Sequence, residues 1–329
     1  MRQIVSFIKR AHLSLLLLLL VSTPAWAESE TAYAVWCADN STLYFLGSEA
    51  SLTAGGTFTP EEATDPVSIT NVWSGTAVTA TQPGGVPEWN NNTIKNNMTR
   101  VVFESSFAGF TPTSLRGWFY QSYKLTDVEG IHNLNTSAAT RMDYMFQNCP
   151  MLTNLDLSNF DTGNVLDMQY MFGSCSKLQS LNLNGWTNTK VTNMYAMMYD
   201  CPLLQAVTMT GFQTPAVQNM SYMFMNCAAL TSLDLTGFDT GNVTTTQEMF
   251  NGCTNLESLN LSGWENQKLT TLTNMFRSCE KLSTLTLTGF QTPSATSFNC
   301  LFAYCKALEN IDLSSFNTEK VTDMQYMFY

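Results

Sequence analysis

The feature that most constrains this chain is a spacing. Cys149, Cys175, Cys201, Cys227, Cys253, Cys279 and Cys305 stand 26 residues apart, and Phe146, Phe172, Met198, Phe224, Phe250, Phe276, Phe302 and Phe328 keep the same step. Two earlier, degenerate copies carry a one-residue insertion, with Trp118-Phe119 where later units have Met-Phe and Leu125, Val128 and Leu134 in the apolar positions. A fixed period of this length marks a stack of similar units, none of which can bury its apolar face alone.

One unit shows how the period predicts structure. Leu152, Leu155, Leu157 and Phe160 form an L-x-x-L-x-L-x-x-F run. Leu155 and Leu157 alternate inward while Asn154, Asp156 and Ser158 point out, so this is a short strand. Val165, Met168, Met171, Phe172 and Cys175 follow at offsets 0, 3, 6, 7 and 10. At about 100° per residue they occupy an arc of about 120°, the inner face of a helix. Its start is marked by Thr or Asn at 136, 162, 188, 214, 240, 266, 292 and 318, read as N-caps, with Pro215 and Pro293 at the first helical position. The expected fold is an α/β repeat solenoid: a leucine-rich-repeat-like stack of short parallel strands and short helices, with a β-rich N-terminal cap.

The L-x-x-L-x-L core followed by V-x-x-M-x-x-M-F-x-x-C resembles the BspA-like leucine-rich-repeat surface proteins of bacteria, over about residues 97–329. The resemblance implies a secreted or surface-exposed protein, in some members an adhesin for matrix proteins or other cells. It supplies no ligand and no binding residues.

The units also carry a longer rhythm. The outward residue at the centre of each strand reads Asp156, Asn182, Thr208, Asp234, Asn260, Thr286, Asp312, and the strand-end aromatic reads Phe160, Trp186, Phe212, Phe238, Trp264, Phe290, Phe316. Both recur every 78 residues, which implies duplication of a three-unit block.

The start of the chain reads as a secretion signal over residues 1–27. Arg2, Lys9 and Arg10 precede an apolar run, and Ala25-Trp26-Ala27 precedes Glu28. Removing those three basic residues takes the formal charge from −11 to −14, against binding to nucleic acid or an anionic membrane surface. No later stretch is apolar enough to span a membrane. Residues 28–96 lack the period and read as an N-terminal cap region, partly irregular. There Ala32–Trp36 and Thr42–Leu46 flank Asp39-Asn40-Ser41 as a hairpin. Residues 97–329 read as the solenoid of about nine units, the last incomplete, and the stop in mid-unit at Tyr329 is read as the mark of a longer protein.

In an exported chain cysteines ordinarily pair. Here equivalent atoms of adjacent units sit about 5 Å apart with parallel Cβ atoms, beyond the Cβ separation of about 3.5–4.5 Å that a disulfide needs. The seven are read as buried free thiols, since one thiol per unit in a row makes no tetrahedral metal site. The methionines at 145, 171, 197, 223, 249 and 275 are read as core.

Catalysis finds no purchase. The mature chain keeps one histidine, His132, and there is no G-x-S-x-G, H-E-x-x-H or phosphate-binding glycine loop, so the expected protein is not an enzyme and needs no cofactor. Glu61-Glu62 reads as a solvated loop. The expected function is binding or adhesion at the cell surface or after secretion. A polar stripe would meet an extracellular protein or glycan through Asn154, Asp156, Ser158, Asn182, Thr208, Asp234, Asn260, Thr286 and Asp312. The alternative is a structural spacer or stalk of a larger surface protein.

Overall fold

The computed structural model describes residues 31–79 and 85–329, and the secretion-signal reading lies outside them. The chain winds as a β-solenoid. Strand β1 (Thr31–Cys37) and strand β2 (Thr42–Ser48) form the expected hairpin, with Thr31 opposite Ser48 and Cys37 opposite Thr42. Strands β3 (Thr57–Phe58) and β4 (Val67–Ser68) make a small separate pair, and β5 (Asn71–Ser74) adds to the free edge of β1. One short helix, α1 (Asn92–Lys95), is capped by the Asn91 side chain. Strand β6 (Arg100–Phe103) then pairs parallel with β2, and β7 (Asp127–Glu129) with β6, so the hairpin and the first two coils share one sheet. Phe45 seals that junction, stacked on Phe103 at 4.6 Å and on Trp118 at 5.1 Å.

Beyond the hairpin the coils stack in register. Strands β8 (Asn154–Asp156), β9 (Ser180–Asn182) and β10 (Ala206–Thr208) are parallel, with Leu155, Leu181 and Val207 in line. Strands β11 (Ser258–Asn260) and β12 (Thr284–Thr286) repeat the arrangement. The short parallel strands expected from the L-x-L pattern are therefore present in these coils.

The helices are not. Where the spacing of Val165, Met168, Met171, Phe172 and Cys175 predicts a helix, the backbone makes consecutive turns. The N–H groups of Met171, Gly173 and Cys175 turn back to the carbonyls of Met168, Tyr170 and Phe172. Those of Met168, Tyr170, Phe172 and Ser174 reach the next coil at Asn193, Tyr195, Met197 and Tyr199. Left-handed residues make this alternation possible: Tyr170 and Ser174 in this coil, Tyr144 and Asn148 in the one before, Tyr222 and Asn226 two coils on. A helix would spend every N–H within its own coil. A step of three residues serves a chain of turns as well as a helix, so the inward residues are those expected while the conformation differs. Val165, Met168, Met171, Phe172 and Cys175 are all fully buried.

The supposed N-caps have another task. The Thr136 hydroxyl donates to the Asp161 carbonyl at 3.1 Å and accepts from the Asp161 N–H at 2.7 Å, and Thr214 and Thr292 treat Asp239 and Asn317 in the same way. One buried hydroxyl thus ties two backbone groups of the following coil.

The core between the strand side and the turn side is built of columns. On the turn side Phe224, Phe250, Phe276, Phe302 and Phe328 stack at 5.5–5.7 Å, nearly parallel. On the strand side Phe160, Trp186, Phe212, Phe238, Trp264, Phe290 and Phe316 form a second unbroken stack. Beside them run the cysteines, all free. Each thiol of the ladder donates to a backbone carbonyl of the preceding coil, as Cys175 does to Phe146 at 3.1 Å and Cys279 to Phe250 at 3.2 Å. Burial pushes the Cys175 thiol up to about 12 and those of Cys201, Cys227, Cys253 and Cys279 well above the usual range.

Two outcomes follow. Far-ultraviolet circular dichroism of the folded protein should show a β-rich spectrum without the double minimum of a helix. In a thiol titration at pH 8, the partly exposed Cys300 should react first, Cys305, also partly exposed but with its thiol pushed up to about 12 by burial, should react slowly, and the seven buried cysteines should wait for denaturant.

Candidate functional site

The polar stripe lies on the strand side. Asn154, Asp156, Ser158, Thr208, Asp234, Asn260, Thr286 and Asp312 are exposed and Asn182 is half-buried. Because the coils keep register, Asp156, Asn182 and Thr208 stand side by side on neighbouring strands. Ser180 donates to Asn154 at 2.6 Å and Thr208 to Asn182 at 3.0 Å, so the row is knit laterally.

The sequence reading missed a second role for these residues. Asp156 accepts the N–H of Ser158, Asn182 that of Asn184, Asp234 that of Thr236, Asn260 that of Ser262 and Asp312 that of Ser314, at 2.9–3.2 Å. Each side chain closes the turn that follows its strand. In the third coil, where Thr208 has no such oxygen in reach, Asn184 of the preceding coil accepts the Thr210 N–H at 2.8 Å. The choice of Asp or Asn at this place is a turn signal that was legible in the sequence: both are followed two residues later by Ser, Asn or Thr.

These bonds hold the carboxyls below the usual carboxylate range: the Ser158 hydroxyl and N–H at Asp156, the Thr236 N–H and hydroxyl at Asp234, and the Ser314 N–H and hydroxyl at Asp312. The stripe therefore carries three charges at neutral pH, one on every third coil, and each keeps oxygen lone pairs free for a ligand.

The strand side is not uniform. Leu157 N–H reaches the Asn182 carbonyl and Leu183 N–H reaches Thr208, but Met209 makes no such bond to Asp234. Residues 232–234 form no strand, and the sheet β8–β9–β10 ends there. The same phase is interrupted elsewhere: β7 does not pair with β8, and β12 pairs with nothing at 310–312. Every coil that bears a stripe aspartate is thus unpaired from the strand before it. Thr208 turns its hydroxyl back to Asn182 and leaves Asp234 without a side-chain tie across the boundary. One cleft opens at this seam, about 350 Å³ between Thr208–Gln213 and Asp234–Phe238, and a second of about 270 Å³ lies on the other side of the Asp234 coil, over Asp234, Asn260 and Thr286. Asp234 lines both.

Among known proteins, the model of a family described as "Mycoplasma protein of unknown function, DUF285" matches residues 113–232 and again 218–329. No curated protein matches the sequence. Among solved structures, a leucine-rich cell surface protein from Faecalibacterium prausnitzii A2-165 is similar at 17% identity, over 59% of this chain and 64% of that one, with a TM-score of 0.31. A TLR13–ssRNA13 complex is similar at 13% identity, over 72% of this chain and 39% of that one, with a TM-score of 0.33. The chain spans less than two thirds of either.

The turn-closing role has a measurable signature. Asp234→Ala should lower stability by about 0.5–1.5 kcal/mol, the worth of one hydrogen bond, while Asp234→Asn should lose less, because the amide oxygen accepts the same N–H without the charge. A depressed carboxylate adds stability above its unfolded value of about 3.9 and loses it as pH falls through the lower folded value. Urea unfolding of wild type and Asp234→Ala should therefore differ at pH 7 and converge in acid.

Proposed function

The chain belongs to the DUF285 family, and from its repeat architecture we propose that it is a non-enzymatic binding protein, exported or held at the cell surface, whose strand side receives an extracellular protein or glycan. The observation that carries this reading is the seam at Asp234. There an ionised side chain with a cleft on either side of its coil stands beside backbone groups without strand partners, on the face the sequence marks as polar. Unpaired strand edges and short polar side chains suit an extended ligand, which gains main-chain bonds along its length and specificity from the side chains between. Asp156, Asp234 and Asp312 would anchor it, with Asn154, Ser158, Asn182, Thr208, Asn260 and Thr286 filling the row.

In this reading residues 1–27 direct export, and residues 28–96 act as a cap by covering the first coil with β2 and Phe45. No helix among the described residues is long and apolar enough to cross a membrane. A second reading, a spacer within a larger surface protein, is favoured by the turn-closing bonds, which give every stripe aspartate a purpose without any ligand.

The two readings part in one experiment. Matrix proteins and a glycan array are screened against the protein and against a triple variant in which Asp156, Asp234 and Asp312 become Asn. The substitution keeps the turn bonds and removes three charges. The binding reading expects a ligand whose affinity falls at least tenfold in the variant. Equal affinity, or no ligand at all, supports the spacer.

A further inference from the structure

A cleft of about 620 Å³ lies away from the stripe, where the N-terminal region meets the first two coils. Its size is that of a small-molecule or side-chain pocket. Its depth holds Glu104, which is 6% exposed and has no ion-pair partner among the described residues. One Glu104 oxygen accepts the Glu61 N–H at 3.1 Å. Three other charged groups of the wall, Glu61, Arg100 and Glu129, are committed. The Glu61 carboxylate accepts from the N–H and hydroxyl of Ser105 and the N–H of Ser106, and Arg100 is held in a two-pronged pair by Glu129. Four carboxyls, at residues 61, 62, 104 and 129, thus face one guanidinium that is already spent, with the His132 imidazole and the Tyr44 phenol as the other titratable groups of the lining. The charge balance repels anions and leaves the deepest carboxyl without a counter-ion. Tyr44, Pro60 and Val102 give the same cleft an apolar wall.

A buried carboxyl in a cleft with apolar residues along part of its wall matches a cation on an alkyl stem. We propose that this cleft receives the side-chain ammonium of a lysine from a partner protein, with Glu104 as its counter-charge. The inference shares no residue with the stripe, so the two stand or fall separately. Burial already pushes the Glu104 carboxyl up to about 7, despite the Glu61 N–H that favours its charged form. An arriving ammonium binds the ionised form, so affinity should rise as pH climbs through that value.

The test is isothermal titration of the protein with Nα-acetyl-lysine methylamide. Its controls are the norleucine analogue, which keeps the stem without the charge, and glycinamide, which has an ammonium without the stem. The lysine analogue alone should bind, and about tenfold more tightly at pH 8 than at pH 6, since a group titrating near 7 is about one-tenth ionised at the lower pH. Glu104→Gln retains an oxygen for the Glu61 N–H and should lose at least tenfold at pH 8, whereas Glu62→Gln should lose little. Equal binding of the norleucine analogue or of glycinamide would overturn the proposal, as would affinity that ignores pH or calcium displacing the lysine analogue. If Glu104→Gln does not fold, the comparison of the three probes on the wild type still decides.

Discussion

Everything in this molecule depends on the hydrogen bonds that join one coil to the next on the turn side. They run without a break from Phe119, bonded to Met145, to Phe302, bonded to Met327. Because each bond fixes which residue of one coil lies over which residue of the next, it places every later side chain in a column. The near-parallel rings, the thiols and the buried threonines are consequences of that register. The ladder even passes through the degenerate first coils: Phe119 bonds 26 residues ahead where Phe146 bonds 25 ahead, to Met171. The inserted residue is absorbed elsewhere in the coil, so the stack is maintained at its most conserved geometry while the sequence around it drifts from the pattern.

The cysteine column shows what the register does to chemistry. A lone buried thiol is a small apolar filler, but here each one also donates to a carbonyl of the coil before it. That bond is a second one for most of these carbonyls: those of Phe172, Phe224 and Phe250 also accept the N–H of Cys175, Cys227 and Cys253 within their own coil, so the thiol uses the remaining lone pair and ties the coils together. It also explains why seven cysteines in a protein read as exported stay unpaired: their sulfurs are aimed along the stack at backbone oxygens, and parallel Cβ atoms one coil apart cannot close a disulfide without moving the backbone.

Much of this was legible. The period gave the stacking, the L-x-L pattern gave the strands β8 to β12 but not the expected ones at 232–234 and 310–312, and the hairpin of β1 and β2 falls on the residues expected. The inward set of the turn side was right to the residue, from Val165 to Cys175. The helix was wrong because an apolar spacing of three does not distinguish a helix from a run of turns. A second column did distinguish them: the residue before each cysteine is Asn148, Ser174, Asp200, Asn226, Gly252, Ser278, then Tyr304. Four of these seven, the Asn, Asp and Gly, are residue types that favour the left-handed region, and with the two serines six weaken a helix interior. All seven have positive φ. The same oversight hid the Asx turns of the stripe, where a side chain was counted as a surface group before its own backbone had been satisfied.

The two sides of the coil are unequal, and the inequality bears on function. The turn side joins every pair of neighbouring repeat coils, while the strand side parts before each aspartate-bearing coil. A backbone hydrogen bond is worth about 1 kcal/mol net, so a seam forgoes only a few, and the ring columns hold the coils together across it: Phe212 and Phe238 remain stacked at 5.4 Å on either side. The fold can therefore leave polar backbone open on one side without loss of register. Since the seam follows the 78-residue block, duplication of that block copies the seam with its charge, about 14 Å further along the stack at one strand spacing per coil. A ligand with a repeating structure of its own would meet several such places at once, and avidity along the stack could then supply what no single seam, with one carboxylate and a shallow cleft, provides alone.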